Sequence, residues 1–303
     1  MAETESWTVG RLLTWTADYL KRQGAETPRL EAEILLATAR GCQRIELYTA
    51  FNEPVDETVR ALFRDLVKRR SAGEPVAYLV GFREFYSLNF EVNSDVLIPR
   101  PETEDLVMRV VDLCRQQADD RPPIRIADVG TGSGAIAVCV ARHVPRSRIT
   151  AIDISPAALE VAGRNAVRHQ VADRIELLCG DLLAPLASEA RFDYIVSNPP
   201  YVSRNEWEAL KPDIRQHEPR EALVGGETGV EIIERLVPQA ADHLVDGGWL
   251  LVEISPMIVD AVKSVFQAGS CFEAISVLND SAQQPRIAQA RRVSRQVTLK
   301  DSV

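Results

Sequence analysis

The stretch IRIADVGTGSGAIAV, residues 124–138, decides the fold. Six residues, four of them apolar, run into a turn with glycine at 130, 132 and 134, and an apolar helical pattern follows at once. Strand, glycine turn and helix in this order form the first half of a β-α-β unit. Reading toward the C-terminus, the pattern recurs. Candidate strands are RITAID (148–153), RIELLC (174–179), FDYIVS (192–197) and GWLLVEI (248–254), with FEAISVL (272–278) and RQVTLK (295–300) as a late pair. Candidate helices fall between them at 134–143, 156–169 and 228–244. Short apolar strands alternating with helices imply an α/β fold with a mostly parallel sheet covered on both faces.

Reading toward the N-terminus, the period changes. YLVGFREFYSLNFEV, residues 78–92, is rich in aromatic and β-branched residues and predicts two strands or a hairpin. In VLIPRPETEDLVMRVVDLC, Pro101 suits the first turn of a helix, and Glu102, Glu104 and Asp105 suit its positive end. Residues 116–123 form a polar loop. Before residue 75 the chain reads as helices: Trp7 to Lys21, a segment from Pro28 to Gly41, and an amphipathic run from Asp56 to Arg70. The organisation expected is a helical domain over 1–74, a β-hairpin linker over 75–100 and an α/β domain over 101–303.

The length of 303 residues fits about two domains. With 46% hydrophobic and 26% charged residues the chain is not mainly disordered. A net charge of −9 argues against capture of nucleic acid by global charge. The five cysteines (42, 114, 139, 179, 271) include no CxxC pair, and the four histidines no HExxH spacing, which disfavours a zinc site or a disulfide framework. No apolar run approaches the ~20 residues of a membrane helix. The polar, acidic start MAETESWTVG lacks the features of a signal or transit peptide, so the expected address is cytoplasmic.

The glycine turn has three readings. Gly130, Thr131, Gly132, Ser133 and Gly134 let backbone approach a ligand and leave helix-start N–H groups free. Asp153, ending the next strand, can accept both hydroxyl hydrogens of a ribose. Gly130, Gly132 and Ala135 also satisfy the dinucleotide pattern, so a nicotinamide-dependent oxidoreductase competes. A tight turn serving only helix–strand packing is the third reading. S-adenosylmethionine carries no phosphate and a positive sulfonium, which favours nearby acid. Asp181 and Leu182, after the third strand, offer a place for its adenine.

Asn198, Pro199, Pro200 and Tyr201 follow the apolar strand FDYIVS, at the strand end where α/β sheets bind ligands. A planar amide or amino nitrogen is a poor nucleophile because its lone pair is delocalised. The Asn198 side-chain carbonyl and the Pro199 backbone carbonyl can accept its two hydrogens, favouring a pyramidal nitrogen aimed at a methyl carbon. Two prolines stiffen the loop, and Tyr201 supplies a flat wall.

Taken together, DVGTGSGAIAV, AIDISPAALEVAGRNA and SNPPYV resemble the class I S-adenosylmethionine-dependent methyltransferases with an NPPY site. GFREFYSLNFEVNSDVLIPRPETEDLV and HEPREALVGGETG narrow the resemblance to the HemK/PrmC-type release-factor glutamine methyltransferases. The likeness covers roughly residues 25–295. It implies a Rossmann-like seven-stranded domain, with Gly130–Gly134, Asp153, Asp181, Leu182 and Asn198 as cofactor-binding residues. It also implies Asn198, Pro199, Pro200 and Tyr201 as the catalytic and substrate-holding set. The implied reaction is metal-free transfer of a methyl group to N5 of the glutamine in a Gly-Gly-Gln motif of a peptide-chain release factor. The helical domain is implied to help hold that protein, with no direct nucleic-acid contact. The alternatives are a ribosomal-protein glutamine methyltransferase, an adenine-N6 DNA methyltransferase using the same clamp on a flipped base, and a non-enzymatic adaptor. The sequence departs from the family pattern at Leu182, at Ser255 where glycine is common, and at Gln284 where glycine is usual.

Other residues have plainer roles. Trp249 and the cysteines 139 and 179 are expected to be buried. His217 reads as a structural loop histidine. Arg100 and Glu102 line a substrate entrance or form a helix cap and surface ion pair. Trp207 forms a substrate lip or packs a helix.

Overall fold

The computed structural model describes residues 6–117, 122–268 and 270–293. The chain divides into two compact units: the described residues up to Phe82 together with Lys211–His217, and Arg83–Leu210 together with the described residues from Glu218 onward.

The first unit is helical. Helices α1 (Val9–Arg22), α2 (Pro28–Arg40), α3 (Arg44–Thr49), α4 (Glu57–Ser71) and α5 (Val76–Val80) follow one another, and Pro212–His217 adds a short helix from far along the chain. Their ends carry local signals. The Thr8 hydroxyl accepts from the Arg11 N–H, and Asp56 accepts from Val59 N–H. Pro28 opens α2, while Gly41 ends it at φ 65°. Val9, Leu13, Leu35, Leu36, Leu47 and Phe63 form its core. Burial of each such side chain contributes about 1.5–3 kcal/mol.

The second unit opens inside a hairpin, β1 (Phe82–Phe85) and β2 (Leu88–Glu91), of which Phe82 alone is counted with the first unit, and continues with α6 (Thr103–Arg115). Then come β3 (Ile124–Val129), α7 (Ala135–His143), β4 (Ser147–Asp153), α8 (Pro156–Arg168), β5 (Ile175–Cys179) and β6 (Phe192–Ser197). Next are β7 (Val202–Ser203), α9 (Arg204–Ala209) and, after Pro212–His217 (α10 in chain order), β8 (Val224–Gly226). The unit finishes with α11 (Glu231–His243), β9 (Leu244–Glu253), α12 (Val259–Ala268), β10 (Phe272–Asn279) and β11 (Pro285–Arg292). Seven strands form one sheet in the order β10-β11-β9-β6-β3-β4-β5. Only β11 runs against the rest. Apolar side chains fill two separate cores of the unit: Leu106, Val110, Ile126 and Val138 belong to one, Ile195, Leu236, Leu250 and Phe266 to the other. The α/β class and seven-stranded sheet agree with the sequence reading.

Several local expectations need correction. The aromatic run at 78–92 is not all strand: Tyr78 to Val80 lie in α5, which Gly81 ends at φ 79°, and the hairpin begins at Phe82. Its turn is Tyr86 and Ser87, both at positive φ. Pro101 lies in a turn before α6 rather than in its first turn, which carries Glu104 and Asp105. The partner of β10 is Pro285–Arg292; RQVTLK (295–300) and the centre of the polar loop at 116–123 lie outside the described residues. Cys139 is buried as expected, but Cys179 is exposed, because it ends an edge strand. Trp249 is only partly buried against the core. No described helix is long and apolar enough to cross a membrane.

Candidate active site

The C-terminal ends of three neighbouring parallel strands, β4, β3 and β6, bring the expected residues together. After β3, Gly130, Gly132 and Gly134 take φ values of 74°, 54° and 78°, conformations that a side chain would strain. A Cβ on Gly134 would stand 3.1 Å from the Ala162 Cβ, so this glycine permits close approach of α8. A Cβ on Gly132 would meet nothing within 4 Å; the cradle is open there. The loop is tied down by Gly130 and Thr131 N–H groups donating to the Ile152 carbonyl at 2.8 and 3.0 Å.

Two acids frame this loop. Asp153 accepts from the Gly132 N–H at 2.8 Å and from the Ser155 N–H at 2.9 Å, and burial pushes its carboxyl up. Asp128 is fully buried, and its Oδ2 accepts from the Thr131 hydroxyl at 2.7 Å and the Ala137 N–H at 3.1 Å. Its Oδ1 has no protein partner, and burial pushes the carboxyl up to about 7. Gly180 N–H donates to the Asp153 carbonyl at 3.0 Å, which fixes the Asp181–Leu182 turn beside it. The Asp181 carboxylate pairs with Arg235, both half-exposed, and Leu182 stands at φ 52°.

The Asn198–Tyr201 segment leaves β6 directly alongside. Ser197 is buried, and its hydroxyl donates to the Val129 carbonyl at 2.7 Å, fastening the end of β6 to that of β3. A Cβ on Gly130 would stand 3.9 Å from the Asn198 carbonyl oxygen, so glycine loop and clamp are in van der Waals range. Asn198 Nδ2 donates to the Thr103 hydroxyl at 3.1 Å. Tyr201 donates its hydroxyl to Glu253 Oε1 at 3.2 Å, and burial pushes the phenol well up. Glu253 is itself fully buried at the end of β9; burial raises its carboxyl, while the hydrogen bond from Tyr201 and the charge of Arg286 pull the other way. Its Oε2 has no partner.

The later loop braces the clamp. Strand β8 pairs with β7, and a Cβ on Gly225 would fall 2.3 Å from the Pro200 carbonyl oxygen. One on Gly229 would fall 2.4 Å from that of Tyr201. Glycine is required because clamp backbone occupies the space. Glu231 completes the loop by accepting from the Thr228 and Gly229 N–H groups at 2.8 and 2.9 Å.

The open choices resolve as follows. Arg100 forms an ion pair with buried Glu218 at 2.6 Å, and Glu102 is the N-cap of α6 without a side-chain capping bond. The Arg220 guanidinium lies over the Trp207 ring at 5.8 Å. Ser255 caps the short helix Pro256–Ile258, and the Gln284 N–H and carbonyl close the β10–β11 turn on Asp280, so neither departure leaves a loose end. The sequence reading missed Thr103, Glu253 and Asn165. Asn165 is buried; its amide donates to the carbonyls of Ser133 and Glu91, and its oxygen accepts from the Glu91 N–H at 2.7 Å, joining glycine loop to hairpin.

Comparison with known proteins adds an independent line. The PrmC N-terminal domain family matches residues 11–81, and the methyltransferase small domain family matches residues 113–215. A release factor glutamine methyltransferase of Rhodopirellula baltica is 47% identical over 96% of this chain and 100% of its own. One from Geobacter sulfurreducens is 41% identical over 88% and 91%. Among solved structures, the hMettl16 catalytic domain in complex with the MAT2A 3'UTR hairpin 1 superposes with TM-score 0.56 at 17% identity, covering 77% of this chain and 83% of that one, a likeness of fold. With near-full-length identity of this degree, the chain belongs to the release factor glutamine methyltransferase family.

Proposed function

We propose that Asn198, Pro199, Pro200 and Tyr201 hold the glutamine carboxamide of a Gly-Gly-Gln release factor beside an S-adenosylmethionine seated on Gly130, Thr131, Gly132, Ser133 and Gly134. The adjacency of Asn198 to Gly130 carries this reading: acceptor clamp and glycine cradle share one edge of the sheet. The residues present fit the cofactor. The open space over Gly132 admits a ligand against bare backbone, and Asp153 retains lone pairs for ribose hydroxyls beyond the two N–H groups it accepts. Leu182 and Asp181 would border the adenine, with Asp181 acting from within its ion pair to Arg235. When bound, S-adenosylmethionine supplies an electrophilic methyl group.

The chain's own residues then do three things. Asn198 Oδ1 and the Pro199 carbonyl accept the two amide hydrogens, weakening delocalisation of the nitrogen lone pair. The two prolines and the bracing glycines keep those acceptors fixed, so little reorganisation accompanies reaction. Tyr201, partly buried against the core, covers one side of the clamp. The proton leaves the nitrogen after methylation has made it acidic, so no strong base is needed. Partner binding by the helical unit draws support from its exposed Trp15, Ile45, Tyr48 and Leu62, apolar side chains suited to a protein surface. The site of action is then the cytoplasm, where release factors work.

The test is incubation with labelled S-adenosylmethionine and purified release factor. Mass spectrometry is expected to place one methyl group on the glutamine of Gly-Gly-Gln, with duplex DNA unlabelled. Asn198→Ala is expected to lower turnover by about a hundredfold or more, while calorimetry shows S-adenosylhomocysteine still binding. Turnover near wild type in that variant would refute the assigned clamp.

A further inference from the structure

Asn165 lies within α8, where alanine would favour the helix more and bury no amide. The residue is fully buried, yet both N–H groups and the carbonyl oxygen of its side chain are matched. Its Nδ2 donates to the Ser133 carbonyl at 2.8 Å and to the Glu91 carbonyl at 3.0 Å, and its Oδ1 accepts from the Glu91 N–H at 2.7 Å. Two donors meet two carbonyls and one acceptor meets an N–H, so a single orientation of the amide satisfies all three.

The bond to Ser133 falls where the glycine turn is weakest. The first half of the turn is fixed from β4: Gly130 and Thr131 N–H groups reach the Ile152 carbonyl, and the Gly132 N–H reaches Asp153. Ser133 stands between Gly132 and Gly134, both at positive φ and both of the residue type that rotates most freely. The peptide joining Ser133 to Gly134 is held on its N–H side by the Thr131 carbonyl at 2.8 Å, inside the turn, and on its carbonyl side by Asn165, from outside it. Asn165 in turn takes its bearing from β2. Besides both backbone groups of Glu91, the Arg164 guanidinium, 2.7 Å from the Glu91 carboxylate, and His169 Nε2, 3.0 Å from the Asn89 carbonyl, tie that strand to α8.

We propose that Asn165 is a positioning residue that sets the affinity of the glycine turn for S-adenosylmethionine by holding the Ser133–Gly134 peptide in place against β2. This deepens the proposed function and rests on Gly130–Gly134 being the seat of the cofactor. Without the Asn165 donor that peptide is free to rotate, and the bare backbone beside the open face of Gly132 loses its fixed shape.

Calorimetry with S-adenosylhomocysteine on the full chain tests this, together with kcat and KM measured on purified release factor and S-adenosylmethionine. Asn165→Ser withdraws the side chain from all three partners, and its hydroxyl can turn back onto its own helix. Asn165→Asp keeps the volume and the acceptor for the Glu91 N–H but sets an oxygen against the Ser133 carbonyl. Both are expected to raise Kd for S-adenosylhomocysteine and KM for S-adenosylmethionine about tenfold to hundredfold, the range for loss of a group that orients a primary ligand. At saturating S-adenosylmethionine kcat is expected to stay within about threefold, the mark of lost binding that ground state and transition state share. Gln289→Ala is the control for stability alone: it removes a buried amide in β11, bonded to Arg109 and Ser276 and well away from β4 in the sheet. It is expected to lower Tm and leave Kd within about twofold. If one Asn165 variant does not fold, the other decides. A Kd within twofold of wild type in Asn165→Ser or Asn165→Asp, or an equal rise in Gln289→Ala, would overturn the proposal. Asp153→Ala separates the two readings. If it loses S-adenosylhomocysteine while Asn165→Ser binds normally, only the role of Asn165 falls; if it binds normally, the cradle reading falls and takes this proposal with it.

Discussion

Asp128 carries an electrostatic cost that pH should reveal. Burial lifts its carboxyl from the ordinary 3.8 to about 7. Between these values the folded chain holds a proton that the unfolded chain releases, so this group's contribution to stability falls as pH rises from about 4 to about 7, and is flat above. Asp128→Asn keeps an oxygen for the Thr131 and Ala137 donors and places an NH2 at the unpartnered Oδ1 position. Urea unfolding at pH 5 and pH 8 is expected to show the variant gaining on wild type as pH rises; a pH-independent difference would refute it. At this scale the sequence was readable where uncommon residue types gather in one short run that the structure sets at a strand end. Gly130 to Gly134 and Asn198 to Tyr201 are such runs. Thr103, Glu253 and Asn165 were not, because each acts on a group 95, 52 or 74 positions away, and nothing local marks a threonine or glutamate for that task.

Among elements, the pairing of β7 with β8 explains why the run HEPREALVGGETG accompanies an Asn-Pro-Pro-Tyr loop. Pro200 and Tyr201 carbonyls occupy the places where side chains of Gly225 and Gly229 would be. Gly225→Ala forces a carbon to within 2.3 Å of backbone oxygen, which cannot swing aside as a side chain end would. The clamp must shift instead. Turnover is expected to drop about a hundredfold, as for reacting groups displaced by about 1 Å, with circular dichroism unchanged; wild-type turnover would refute the brace. The parallel strands were legible from their apolar runs and glycine punctuation. The hairpin was legible only in part. Its Tyr86-Ser87 turn lacks the Asn-Gly or Asp-Gly signal, and the apolar residues before Gly81 fit a strand and a short helix equally. Strand β11 was missed because Pro285 opening it and the polar Gln289 within it obscure the period, although Gln289 is buried and bonded to Arg109 and Ser276.

For the whole molecule, each unit keeps its own apolar interior. Leu36 is fully buried in that of the helical unit. Leu36→Ala is expected to cost about 2–5 kcal/mol, read as faster amide exchange in the helical unit with the sheet of the other unit unchanged; loss of protection in β3 and β6 would contradict separate cores. The helical unit, however, is not one uninterrupted piece of chain. The polypeptide leaves the larger unit after Leu210, contributes Lys211–His217 to the smaller, and returns at Glu218. A gene fusion that spliced a foreign helical head onto this protein at Phe82 would thus retain seven residues shaped for the original. To graft faithfully, both segments would have to travel together from one parent.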